Sequence, residues 1–251
     1  MTTSDVVENS PTVDHQPLGP AELARFIDHT LLRPEATRAE VADAVADAVE
    51  LGAYSVCVNP VHLPLDVPLR EDGTKAVRVT TVVGFPSGAH KTAIKVAEAT
   101  QAVADGADEV DMVADLGAAK ERRFADVRAD IAAVRAAVPA PTVLKVIVES
   151  AVLSDHELIE TCRAAADAGA DFIKTSTGYH PAGGVTMRAV GIISGTIGGR
   201  LGLKASGGLR TAADAVSMIT AGASRLGTSR TAELLDDYLA DTGYLADTGS
   251  V

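Results

Sequence analysis

The 251-residue chain has no tryptophan, and aromatic residues make up only 3% of it. Stacking platforms for single-stranded nucleic acid depend on such rings and are not expected. Cysteine is almost as scarce: Cys57 and Cys162 stand far apart in sequence. Two cysteines give neither a disulfide framework nor a metal-type spacing, which fits a reducing cytoplasm. No uninterrupted apolar stretch approaches the roughly 18 residues of a membrane span. Residues 1–20 have neither the basic start nor the apolar centre of a signal peptide. A soluble, cytoplasmic protein with no membrane partner is expected. Positive charge is also short, with 22 Lys and Arg against 34 Asp and Glu and a formal net charge of −12. That balance argues against nucleic acid as a partner. It does not exclude a small anion, which a few local donors can hold inside an acidic protein.

What is present is a globular composition, 47% hydrophobic and 22% charged, at a length typical of single α/β barrels. Residues 1–20 are polar and proline-containing and read as a loose tail. Residues 21–237 then alternate short β-branched runs with Ala-rich runs of helical period, the pattern of successive βα units. Candidate strands are Phe26–Thr30, Tyr54–Asn59, Val77–Gly84, Asp108–Val113, Val143–Glu149, Asp171–Ser176, Leu201–Ser206 and Ser224–Thr228. Gly52, Gly106, Gly169 and Gly222 each follow a helical run and precede a strand, where glycine can end the helix in left-handed conformation. Thr37-x-x-Glu40 and Ser154-x-x-Glu157 have the form of capping boxes, and Thr211-x-x-Asp214 is a weaker version. Eight such units predict a closed (β/α)₈ TIM barrel in a single domain. The alternative, an open doubly wound sheet, would favour a Gly-x-Gly-x-x-Gly turn after the first strand, and none is there. Residues 238–251 carry a short direct repeat, Tyr-Leu-Ala-Asp-Thr-Gly twice over, and read as a second tail.

Strands of a parallel barrel are covered on both faces and should be nearly all apolar. Here Asp28, Glu109, Asp111, Lys145, Lys174 and Lys204 interrupt five strands. For any one of them, a solvated rim group or half of an ion pair is the ordinary explanation. Together, on separate strands and partly at the C-terminal ends where this fold keeps its active sites, they favour a site. Two ammonium groups about 4 Å apart repel by about 4 kcal/mol at an effective dielectric near 20, worth about three pKa units. One of two close lysines can thus become a neutral nucleophile towards a carbonyl, with a carboxylate such as Asp111 moving protons. The loops after strands seven and eight hold Gly207-Gly208 and Gly227-Thr228-Ser229, and in this fold those loops often bind phosphate. Thr175 and Gly178, just after Lys174, offer further donors. None of the six histidines shows a ligand spacing, so neither a metal nor any other cofactor is expected.

These residues fall in motifs that resemble the deoxyribose-phosphate aldolase family. The resemblance rests on Asp28-His-Thr-Leu-Leu, Val56-Cys-Val-Asn-Pro60, Val83-Gly-Phe-Pro-Ser-Gly88 and Glu109-Val-Asp-Met-Val113. It continues through Leu144-Lys-Val-Ile-Val-Glu149, Phe172-Ile-Lys-Thr-Ser-Thr-Gly178 and Leu203-Lys-Ala-Ser-Gly-Gly-Leu-Arg210, in order from about residue 21 to 235. It implies a class I aldolase that reversibly cleaves 2-deoxy-D-ribose 5-phosphate to D-glyceraldehyde 3-phosphate and acetaldehyde. By resemblance Lys174 forms the imine, Lys204 depresses its pKa, and Asp111 donates and accepts protons. Gly207, Gly208 and Ser229 would meet the phosphate, Asp28 and Lys145 would support the network, and a homodimer is implied. Two features depart from the family pattern. Arg230-Thr231 stands where a small residue is usual, and the last tyrosine, Tyr244, lies seven residues before the end. A transaldolase-like enzyme and a non-catalytic sugar-phosphate sensor remain as other readings of the same barrel.

Overall fold

A computed structural model describes residues 18–242. Eight strands close into a barrel in sequence order: β1 (Ile27–Leu31), β2 (Ser55–Val58), β3 (Arg78–Val83), β4 (Glu109–Val113), β5 (Val143–Ile147), β6 (Phe172–Lys174), β7 (Gly202–Ser206) and β8 (Arg225–Thr228). Every neighbouring pair is parallel, and β8 returns to β1 with Asp28 opposite Gly227. All eight strands fall within the expected segments or a residue beyond them. β5 and β6 stop two residues early, the first because the chain turns into a 3-10 turn at Ser150–Val152. Glu149, just before it, takes a left-handed φ of 46°.

The helices among the described residues are α1 (Pro20–Ala24), α2 (Arg38–Glu50), α3 (Thr92–Ala104), α4 (Leu116–Lys120), α5 (Phe124–Ala137), α6 (Asp155–Asp167), α7 (Met187–Ile197), α8 (Ala212–Thr220) and α9 (Thr231–Thr242). Their starts follow the sequence signals. Thr37, Ser154 and Thr211 each accept a hydrogen bond from the backbone N–H three residues on, and each forms a reciprocal capping box. In α2 the buried Val41, Ala44, Val45 and Ala48 make one stripe at helical spacing, which faces the sheet. The main core runs from Leu23 to Tyr238 and is rich in Ala, Val, Ile and Leu. Small alanines let the helices lie close to the strands without aromatic filler.

Two expectations change. The crossover from β2 to β3 contains no α-helix; a 3-10 turn at Pro60–His62 and an isolated bridge between Leu69 and Lys75 occupy it. Pro60, Pro64 and Pro68 explain this, since each removes a backbone donor and clashes with a preceding helical turn. At the other end, α9 runs past residue 237 to Thr242, and Tyr238 is buried with its hydroxyl donating to the Leu18 carbonyl at 2.5 Å. Residues 238–242 of the C-terminal repeat therefore belong to α9. Tyr244 and residues 1–17 lie outside the described residues.

Inside the barrel, packing at the bottom is tight enough to specify a glycine. A Cβ on Gly202 would lie 2.1 Å from the fully buried Phe172 ring. Gly202→Ala is expected to cost about 2 kcal/mol, since overpacking a filled core displaces rings and backbone. The measurement is the urea midpoint at constant m-value; an unchanged midpoint would show that the ring can move aside.

Candidate active site

Alternation along the strands turns Asp28, Glu109, Asp111, Lys145, Lys174, Lys204 and Arg225 into the barrel, where all are buried. The register sets Asp111 opposite Lys145 and Lys174 opposite Lys204, with Lys204 also opposite Arg225. Asp111 is the centre of the arrangement. Its Oδ2 accepts from Lys174 Nζ and Lys204 Nζ, both at 2.9 Å, and its Oδ1 accepts from Lys145 Nζ at 2.6 Å. Lys145 also lies 2.6 Å from Glu109 Oε2. Asp28 pairs with Lys204 and, at 2.9 Å, with Arg225 Nη1. Arg225 reaches Glu109 at 3.1 Å and stacks over the Tyr54 ring at 3.4 Å.

Three carboxylates thus face four bases. If all seven were ionised, the interior would carry one uncompensated positive charge, which a low-dielectric site resists. The pKa shifts of the three lysines differ in direction. Burial lowers the Lys174 pKa, opposed by Asp111 and reinforced by Lys204. Burial acts the same way on Lys204, but there Asp111 and Asp28 outweigh it and the pKa rises. Lys145 is also raised, against burial, by Asp111 and Glu109. Burial would raise the Asp111 carboxyl, yet Lys145, Lys174 and Lys204 hold it well below the usual carboxylate range. The simple picture of two repelling ammonium groups is therefore incomplete. One carboxylate oxygen is shared by the two amines, and burial rather than repulsion is the larger influence on Lys174.

Above the cluster opens a cavity of about 710 Å³. Lys174 is the cluster's member in its wall, together with Gly178, Gly207, Gly208, Gly227 and Ser229. Gly207 and Gly208 both have φ of +91°, and a Cβ on Gly207 would crowd the Cα atoms of Gly178 and Gly184 at 3.3 Å. The two glycine loops therefore meet backbone to backbone, leaving amide-rich walls beside the N-terminus of α9. Arg33, Arg210 and Arg230 line the mouth. Thr175 is placed differently from the other expected ligands. It is fully buried, donates to the Ser206 carbonyl at 3.1 Å and accepts from the Ser206 N–H at 3.0 Å, so it ties β6 to β7 beneath the cavity. Asp28 and Lys145 likewise sit below the wall, in the charged layer.

The sequence assigns Arg225 no role and marks Glu109 only as a charge. Strand alternation in Ser224-Arg225-Leu226-Gly227, which turns Arg225 inward beside Lys204, carries the signal. Cys57, on β2, is buried and its thiol pKa is pushed up mainly by that burial.

A closed parallel barrel with a glycine-walled cavity at its C-terminal mouth, and one amine of a buried lysine cluster in the cavity wall, keeps its site where enzymes of this fold do; the class is that of an aldolase, a carbon–carbon lyase. Residues 23–239 match the model of the DeoC/LacD family aldolases, and the chain belongs to that family. It is 57% identical over 216 residues to a deoxyribose-phosphate aldolase of Corynebacterium diphtheriae, covering 86% of this chain and 96% of the relative. With the Mycobacterium tuberculosis enzyme of the same name the identity is 58% over 220 residues, with the same coverage. Among solved structures, an aldolase designated QR15 superposes with a TM-score of 0.81 at 40% identity, over 89% of this chain and 99% of that one. A tetrameric deoxyribose phosphate aldolase from Aeropyrum pernix gives 0.79 at 32% identity, over 88% and 92%.

The cluster's electrostatics carry a pH consequence. A lysine that attacks a carbonyl must be a free amine, so with Lys174 expected in that role activity should fall as pH drops through its folded pKa. Lys204→Met removes one lowering influence on Lys174 and frees Asp111 to hold the remaining proton, so the acid limb of the activity profile should move to higher pH. Thermal stability should fall by about 3 kcal/mol, because Asp28 and Asp111 lose a buried partner. The check is a pH–rate profile of the folded variant, and an unmoved acid limb would remove Lys204 from the tuning of Lys174.

Proposed function

We propose that the protein is a class I aldolase that reversibly cleaves 2-deoxy-D-ribose 5-phosphate to D-glyceraldehyde 3-phosphate and acetaldehyde through an imine on Lys174. The observation that carries this reading is the position of Lys174. It is the one base of the charged layer in the cavity wall, and its pKa is lowered while those of Lys145 and Lys204 are raised.

The neutral Lys174 amine adds to the C1 aldehyde of the open-chain sugar, and loss of water gives the iminium. The C2–C3 bond breaks and its electrons form the C1–C2 enamine. The C3 hydroxyl loses its proton and becomes the aldehyde of glyceraldehyde 3-phosphate. Protonation at C2 and addition of water then release acetaldehyde and the free amine. Asp111, held ionised, fixes Lys174 and Lys204 in place and moves protons through a bridging water. Lys204, held charged by Asp111 and Asp28, stabilises the negative charge that develops on oxygen. Gly207, Gly208, Gly227 and Ser229, with Gly178 across from them, receive the phosphate at the head of α9. Tyr238 is bound to Leu18 at the opposite end of α9 and takes no part.

Two buried free cysteines suit a cytoplasmic enzyme, and no helix among the described residues is long and apolar enough to cross a membrane. Self-association as a homodimer belongs to the same reading; the Aeropyrum pernix relative is described as a tetramer.

Borohydride reduction in the presence of acetaldehyde, followed by peptide mapping, should place a two-carbon adduct on Lys174. A label on other lysines alone defeats the mechanism. Product analysis with fructose 6-phosphate separates this activity from a transaldolase-like one. Arg230, half-exposed beside Ser229 and 3.5 Å from Glu233, supplies a second test. Arg230→Ser should raise KM for the phosphorylated sugar about tenfold, the size of a lost charge-assisted contact, and leave KM for unphosphorylated deoxyribose unchanged. Equal effects on both sugars would place Arg230 outside the phosphate site.

A further inference from the structure

A second buried lysine lies outside the catalytic layer. Lys95, on α3, is fully enclosed, and its Nζ is 2.8 Å from Asp130 Oδ2 on α5. Thr92 Oγ1 donates to the other Asp130 oxygen at 2.7 Å. A buried ion pair between two helices is weak support for stability, since an apolar pair of similar volume serves as well or better. The third contact of Lys95 is therefore the informative one: its Nζ donates to the Val113 carbonyl at 2.9 Å.

Val113 ends β4, two residues beyond Asp111. The pairing of β3 with β4 runs only to Val83 opposite Met112, after which β3 turns away at Gly84 with φ of +64°. The Val113 carbonyl thus lies one residue past the end of that ladder, and the Lys95 ammonium donates to it there. The same side chain supports the turn itself. A Cβ on Gly84 would lie 3.2 Å from Lys95 Cε, and the Gly84 N–H donates to Glu98 Oε2 on α3 at 2.7 Å. Gly88 closes the turn with an N–H to the Gly84 carbonyl at 2.8 Å. It packs so near β4 that a Cβ there would meet the Ala114 oxygen at 2.1 Å. On the far side, the Ala114 N–H donates to the Ile147 carbonyl at 3.0 Å. Phe85, within the turn, meets Tyr179 edge-on with centroids 5.4 Å apart, and Tyr179 lines the cavity.

We propose that Lys95, held in place by Asp130, is a positioning residue. It fixes the exit of β4 against the Gly84–Gly88 turn, and so sets the height of Asp111 relative to Lys174 and Lys204 and the seat of Phe85 under Tyr179. This rests on Lys174 being the imine-forming lysine. The phosphate loops lie on β7 and β8, across the barrel from this brace, so its loss acts on the chemical step and spares substrate binding.

The test compares Lys95→Met and the paired Lys95→Met/Asp130→Leu variant with the unaltered protein. The measurements are thermal midpoint, kcat and KM for deoxyribose 5-phosphate cleavage, and borohydride trapping at Lys174. The expected result is an about tenfold fall in kcat in both variants with KM within about twofold, in line with the rate cost of misplacing a reacting group by a fraction of an ångström. The paired variant should recover the thermal midpoint and not the rate. An unchanged kcat in the paired variant overturns the proposal, and so does a KM that rises in step with the fall in kcat. Should a variant not fold, Asp130→Asn keeps the side-chain shape, loosens Lys95 and is judged by the same criterion. No adduct on Lys174 in the unaltered protein defeats the imine reading instead, a separately visible failure.

Discussion

The carboxylate of Asp111 accepts hydrogen bonds from three lysines on three different strands, and the interior of the barrel is organised around that sharing. Four basic groups inside one sheet would drive the strands apart without acids between them. Asp111 takes the central place, Asp28 and Glu109 take the flanks, and Arg225 closes the set from β8. The apolar core is consequently displaced outward, into the layer between strands and helices, where alanine, valine and leucine fill it. An ordinary barrel interior is stacked with branched aliphatics. Here a charged layer stands in their place, and a close fit of Phe172 on Gly202 finishes the lower end.

The unequal count of acids and bases gives this layer its chemical direction. A balanced network would hold every proton firmly. With one base in excess, the pKa of a single lysine is lowered while its neighbours' are raised, and the strand register makes it the lysine beside the cavity. Lys204 is flanked by two carboxylates and Lys145 by three, whereas Lys174 touches Asp111 alone among the acids. The distinction between one lysine with a lowered pKa and two with raised ones thus comes from neighbours below the cavity.

Much of this was legible from the residues. Strand order and the helix starts followed from periodicity, capping residues and the four junction glycines, because each is a local property of the backbone. The cluster of Asp28, Asp111, Lys145, Lys174 and Lys204 stood out because charge is so unusual on a doubly covered strand. Less legible were contacts that depend on height along the barrel. Thr175 reads like a phosphate ligand beside Lys174, yet the register spends its hydroxyl on Ser206. Arg225 looks like any strand-start arginine until strand alternation is followed inward, where it meets Asp28 and Glu109. The helix missing from the β2–β3 crossover was announced by three prolines and was overridden by the regular rhythm of the other units. Lys95 sits in an ordinary amphipathic run, and nothing local marks it as reaching a neighbouring strand.

The contact between Tyr238 and Leu18 has a topological consequence. It brings the last helix against the segment that precedes β1, so the two ends of the folded unit are neighbours on one side of the closed sheet. A ring of eight strands has no intrinsic first member, and adjacent ends make the break between β8 and β1 a matter of chain history rather than of architecture. The catalytic layer draws on β1, β4, β5, β6, β7 and β8 and is indifferent to that break. A chain joined at its present ends and reopened in the helix-free, proline-rich crossover would keep every strand pairing that brings Asp111 to its three lysines.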